Sequence, residues 1–114
     1  MSHKIRLLLV DDNEVNLDVL ARRLERKDCE VVTATNGRSA LEALEREPFD
    51  TVILDVRMPE MTGHEVLEAI RARRSQIELP VIMATAETDP DEVVRALEGG
   101  ANDYVTKPID VNVL

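Results

Sequence analysis

Five short β-branched and aliphatic segments alternate along the chain with four stretches whose apolar residues recur every three or four positions. Strands are expected at Ile5–Val10, Glu30–Ala34, Thr51–Leu54, Pro80–Ala84 and Asp103–Thr106; the runs 5–10 and 51–54 lack clean alternation, which predicts strands buried on both faces of a parallel sheet. Between them the spacing predicts helices over about 13–26, 38–45, 63–73 and 90–98, with inward faces Leu17, Leu20, Ala21 and Leu24; Leu41 and Leu44; Val66, Leu67 and Ile70; and Val93, Val94 and Leu97. Breakers fall between these stretches. Asn36-Gly37 and Pro48 bracket the second helix, and the loop from Arg57 to Gly63 is rich in turn formers. Asp89-Pro90-Asp91-Glu92 reads as a helix start with a capping box, and Gly99-Gly100 stops that helix. Strand and helix in strict alternation predict an α/β fold, a doubly wound five-stranded parallel sheet with helices on both faces. After Pro108 the chain enters what reads as the first turn of a fifth helix, truncated at Leu114. The expectation is one domain over 1–114, a piece of a longer protein, with the sheet face near strands four and five partly bare.

Composition narrows the function. A length of 114 residues suits one core, and 44% apolar with 32% charged residues predicts an ordered soluble domain. Aromatics are 2%, so the core must be aliphatic. Fourteen basic against 23 acidic residues leave a net charge of -9. That argues against this domain binding nucleic acid by itself, since phosphate contacts need a basic face, and against an anionic membrane surface. Cys29 is the single cysteine, so no internal disulfide can form. It reads as a small half-buried residue before a strand. No apolar stretch approaches the roughly 20 residues of a membrane span, and Met1-Ser2-His3-Lys4 leads straight into a strand. A cytoplasmic setting is expected.

The chemistry sits where the strands end. Asp11 and Asp12 close the first strand, and Asp55 closes the third. Ligands of open α/β sheets bind outside the carboxyl ends of the strands, so three carboxylates should meet at one edge. Their repulsion calls for a hard cation such as Mg²⁺. Thr85 and Lys107 follow the fourth and fifth strands. Carboxylates for metal and nucleophile, with a hydroxyl and an ammonium for phosphoryl oxygens, are the parts of a phosphoryl-transfer site.

Four blocks of the chain resemble the receiver domain of two-component response regulators. They are Leu9-Val10-Asp11-Asp12-Asn13, Asp55-Val56-Arg57-Met58-Pro59-Glu60-Met61-Thr62-Gly63, Pro80 through Ala86, and Gly99 through Pro108. The resemblance implies a flavodoxin-like sheet of order 2-1-3-4-5. It implies Asp55 as phosphoacceptor, Asp12 as a direct Mg²⁺ ligand, Asp11 as one acting through water, and the Arg57 backbone carbonyl as a further ligand. Lys107 and Thr85 would contact the phosphoryl group. Tyr104 would be the aromatic switch following Thr85, and the Lys107-Pro108 peptide would be cis. Arg57 and Glu87 would tune dephosphorylation. Partners would be a sensor histidine kinase or histidine phosphotransfer protein, an output domain or downstream protein, and possibly a second copy in a dimer. Thr62 departs from the acidic residue frequent at that place in the family, which bears on the turn more than on the chemistry.

Plainer readings compete. Asp11 and Asp12 could be helix caps, Asp55 a turn residue, Lys107 a solvated lysine, and Tyr104 simple edge-strand packing. His3 and His64 read as a terminus and an exposed helix start. Arg71-Ala72-Arg73-Arg74 reads as a solvated helix end favoured by the dipole, and Met58 and Met61 as loop packing. The rival function is a Mg²⁺-dependent aspartyl-phosphate phosphohydrolase. Such enzymes place an Asp-x-Asp pair after the first strand, whereas here Asp11-Asp12 are adjacent. A third reading is an interaction domain with a vestigial site. On the leading reading the domain is not an enzyme beyond its own phosphorylation and dephosphorylation.

Overall fold

A computed structural model of the chain describes residues 4–85 and 90–107. Five strands, β1 (Ile5–Val10), β2 (Cys29–Ala34), β3 (Thr51–Asp55), β4 (Val81–Thr85) and β5 (Asp103–Thr106), alternate with α1 (Glu14–Glu25), α2 (Gly37–Arg46), α3 (Gly63–Arg71) and α4 (Pro90–Glu98). All strand pairs are parallel, in the order β2-β1-β3-β4-β5. This is the expected doubly wound sheet. The residues of the expected fifth helix lie outside those described.

Alternation of side chains along each strand splits the core into two layers. Leu8, Val10, Val52, Leu54, Val81 and Met83 face α2, α3 and Ala96 of α4. Leu7, Leu9, Ile53 and Ala84 face Leu17 and Leu24 of α1. Both faces are apolar, which is why the strands read as continuous apolar runs. On the α1 side, Leu9, Leu17, Leu20, Ile53 and Ala84 line a cavity of about 400 Å³ that also reaches Asp11, Asp55 and Lys107. Among the described residues no helix is long and apolar enough to cross a membrane.

The helix starts follow local chemistry. Asn13 caps α1, its side chain accepting from the Asn16 amide at 3.1 Å, and Asn36 caps α2 through the Ser39 amide at 2.8 Å. Thr62 and Glu65 form a reciprocal capping box on α3. Asp89, the expected cap of α4, lies outside the described residues.

Three expectations are corrected. Helix α4 buries Ala96 completely, whereas Val94 and Leu97 are about half exposed. The small Ala96 lets the helix approach the sheet, and the neighbouring positions rotate outward. In the run expected to be a solvated helix end, Ala72 and Arg73 are exposed, but Arg71 is partly buried and bonded to the fold. It donates to the carbonyls of Gly100 (2.7 Å) and Leu79 (2.8 Å) and to Asn102 Oδ1 (2.9 Å). One guanidinium thus closes the α3–β4 and α4–β5 connections, and Gly100, at φ 103, passes so close to it that a Cβ there would lie 2.9 Å from the Arg71 stem. His64 is not exposed either: its side chain is 9% accessible and bonded to Glu92.

Candidate functional site

The ladder registers bring the polar strand ends to one edge. Val10 pairs with Leu54, Asp55 with Ala84, and Thr85 with Thr106. Asp11 and Asp12 therefore emerge beside Asp55, with Thr85 and Lys107 next along. Two backbone bonds extend the ladder into the site: the Asp11 amide donates to Ala34 O at 3.2 Å, and the Lys107 amide to Thr85 O at 2.8 Å.

The three carboxylates have unequal surroundings. Asp11 and Asp55 are buried, as is Thr85, while Asp12 is exposed. Asp11 and Asp12 are not the caps of α1, a role Asn13 fills. Instead Asp11 Oδ1 accepts from the Asn13 amide at 2.9 Å, which aims its other oxygen into the site. Lys107 Nζ donates to Asp11 Oδ2 at 2.6 Å and lies 3.2 Å from Asp55 Oδ1. It is not a solvated lysine. One ammonium lies between two buried carboxylates and offsets part of their repulsion.

That offset is incomplete. Burial, and then the repulsion of Asp11, push the Asp55 carboxyl up to about 6 from an ordinary 3.8, against the pull of Lys107. Burial alone would lower Lys107, but the hydrogen bond to Asp11 and the charge of Asp55 raise it, so it remains a cation. Carboxylate oxygens of Asp11, Asp12 and Asp55 all lie within 4.8 Å of one another. An all-oxygen set with one solvent-facing member fits a hard divalent cation that keeps several waters.

The loop after β3 is pinned to the strand that carries Asp55. The Gly63 amide donates to Val56 O at 2.9 Å. A Cβ on Gly63 would collide with the Asp55 carbonyl oxygen and sit 2.8 Å from the Val56 Cα. Only glycine lets α3 start this close to Asp55, a requirement visible in sequence only as a glycine ending a turn-rich loop. Arg57 is exposed on this loop and lines a cavity of about 460 Å³ together with Asp12, His64, Glu92 and Arg95. Met58 is buried in the core and Met61 packs against it, so both are loop packing. Tyr104 is half-buried on β5, paired with Met83 and packed against the α2–α3 layer of the core. Glu87 and Pro108, and with them the expected tuning role and the expected cis peptide, lie outside the described residues.

A family model described as the response regulator receiver domain matches residues 7–114. The sensor protein GacS of Pseudomonas syringae pv. syringae is 43% identical over 107 residues, covering 91% of this chain and 12% of that protein. The alkaline phosphatase synthesis transcriptional regulatory protein PhoP of Bacillus subtilis is 39% identical over 103 residues, covering 90% of this chain and 42% of that protein. The chain thus spans less than half the length of these relatives. Among solved structures, the chemotaxis protein CheY4 of Vibrio cholerae superposes with a TM-score of 0.89 at 34% identity, covering 96% of this chain and 92% of that one.

Proposed function

The chain belongs to the response regulator receiver domain family of two-component systems, and on that premise we propose that it is a phosphoacceptor switch in which Asp55 takes a phosphoryl group in a Mg²⁺-dependent reaction. The observation that carries this reading is the convergence of Asp11, Asp12, Asp55 and Lys107 at the carboxyl edge of one parallel sheet. Asp55 Oδ attacks phosphorus of a phosphohistidine on the donor. The P–N bond breaks, its electron pair returns to the imidazole, and an aspartyl phosphate forms. Asp11, Asp12, Asp55 and the Arg57 carbonyl would hold Mg²⁺, which when bound supplies positive charge for the incoming phosphoryl oxygens. Lys107 needs only to release one carboxylate to meet a phosphoryl oxygen, because it already lies 3.2 Å from Asp55. The Thr85 hydroxyl donates to another oxygen, and Tyr104 follows Thr85. Arg57 and Glu87 flank the site and tune loss of the phosphoryl group.

Phosphorylation replaces one negative charge at Asp55 by about two. The response is a shift of the surface formed by α4 and β5, read by an output domain or downstream protein. The donor is a sensor histidine kinase or histidine phosphotransfer protein in the cytoplasm. The alternative, a phosphohydrolase turning over outside substrates, differs in stoichiometry. Incubation with acetyl phosphate, and separately with a small phosphomonoester, in Mg²⁺ separates the two. The switch takes one phosphoryl group per chain from the acyl phosphate and leaves the ester intact. Sustained release of phosphate from the ester would sink this reading in favour of the hydrolase.

A further inference from the structure

We propose that His64, through its hydrogen bond to Glu92, is a positioning residue that clasps the first turn of α4 to α3 and thereby sets how readily Asp55 is phosphorylated. The proposal rests on the function proposed above and names a control on that same site. His64 Nε2 lies 2.7 Å from Glu92 Oε2, and the carboxylate can only accept, so the imidazole donates. The two residues are 28 apart in sequence, and their side chains are 9% and 28% accessible. Arg95 reaches the other Glu92 oxygen only at 4.0 Å.

The two ends of this clasp differ in how firmly they are held. His64 is the second residue of α3, directly after the glycine pressed against the backbone of Asp55 and inside the Thr62–Glu65 capping box. That end is fixed to the nucleophile's strand. Helix α4 is held far more lightly. Ala96 is its one buried side chain and Val93 is partly buried, while Val94 and Leu97 remain about half exposed. An element with so little buried apolar surface is the kind that moves at low energy. Its first residue, Pro90, follows Thr85 after four intervening residues. A short span of chain thus separates Thr85 at the site from the turn of α4 where Glu92 is tied to His64. The pair also walls the cavity shared by Asp12 and Arg57, so the clasp closes directly beside the site.

The clasp is present in the arrangement where Asp55 is a plain carboxylate. A contact made in one of two arrangements favours that arrangement by its full free energy. Removing it should favour the phosphorylated one. With acetyl phosphate and Mg²⁺, followed by intact mass on the full chain, His64→Ala and Glu92→Ala should each accelerate phosphoryl gain about threefold to tenfold, the span of one net hydrogen bond. The double variant should be no faster than the faster single one. His64→Gln, which restores a donor, should return toward the wild-type rate. Amide hydrogen exchange across 90–98 in the unphosphorylated chain should speed up in both alanine variants. Rates within about 1.5-fold of wild type, or additive effects in the double variant, would overturn the proposal even if thermal stability fell. A wild type that gains no phosphoryl group overturns the proposed function instead, and the clasp is then decided by exchange: lost protection upholds it, unchanged protection refutes it.

Discussion

Replacing Asp55 by Asn should stabilise the chain at neutral pH, although it removes a partner of Lys107. The folded Asp55 carboxyl is pushed up to about 6 by burial and by Asp11, from an ordinary 3.8. The folded chain thus keeps this proton to higher pH than the unfolded chain does. Across that window the folded state binds more protons, so Asp55 contributes stability that is complete below about pH 4 and lost as pH rises through about 6. The difference of about 2 units, at about 1.4 kcal/mol each, amounts to about 3 kcal/mol at pH 7. Asn is isosteric with the protonated acid and cannot ionise, so it avoids this loss. Lys107 still has Asp11, to which it donates at 2.6 Å in the unsubstituted chain, as a partner. Urea unfolding of both proteins in chelator, at about pH 4, 5, 6 and 7, reads the effect. The stability gap should be near zero at the acid end, open through pH 5 to 6, and level off at about 3 kcal/mol, on the order of 10 °C in Tm for a domain of this size. Equal stability at pH 7, or a gap widest at pH 4, would refute the electrostatic account of the site.

Mg²⁺ should raise the Tm of the wild type and narrow its gap to Asp55→Asn, by about 2.7 kcal/mol at a hundredfold excess over Kd; an unchanged wild-type melting curve would count against the cation site. Gly63→Ala forces a Cβ into the Asp55 carbonyl oxygen, so urea unfolding should show a loss of about 1–3 kcal/mol, with a slower phosphorylation rate because the nucleophile shifts. Arg71→Ala strips partners from the Gly100 and Leu79 carbonyls and from Asn102. It should cost about 2–4 kcal/mol by the same assay and leave the phosphorylation rate of the folded fraction little changed.

Much of the fold is legible because the central strands β1, β3 and β4 are covered on both faces, while the edge strands β2 and β5 are only partly buried. Residues 5–10 and 51–54 have apolar runs with no other reading at that length, and strand ends in a parallel sheet place their polar residues at one edge. Asp11, Asp12, Asp55, Thr85 and Lys107 could therefore be assigned to one edge before any coordinates. Periodicity located α4 but not its rotation: Val94 and Leu97 looked like a core face, yet Ala96, too small to stand out, is the buried residue. Long-range polar contacts were illegible for a different reason. His64 and Arg71 sit at helix ends, where exposure is the ordinary expectation. Their partners, Glu92 for His64, and Gly100, Leu79 and Asn102 for Arg71, come together only once β4 and β5 are in register. The unequal burial of Asp11 and Asp12 likewise depends on Asn13, rather than either aspartate, capping α1.

The central claim is that Asp55 receives the phosphoryl group with a divalent cation's help. Intact mass after incubation with acetyl phosphate and Mg²⁺, on wild type and Asp55→Asn, tests it most directly. One phosphoryl group should appear on the wild type and be absent from the variant and from wild type in chelator. A gain that persists in folded Asp55→Asn, or no gain on a folded wild type that binds Mg²⁺, would contradict it.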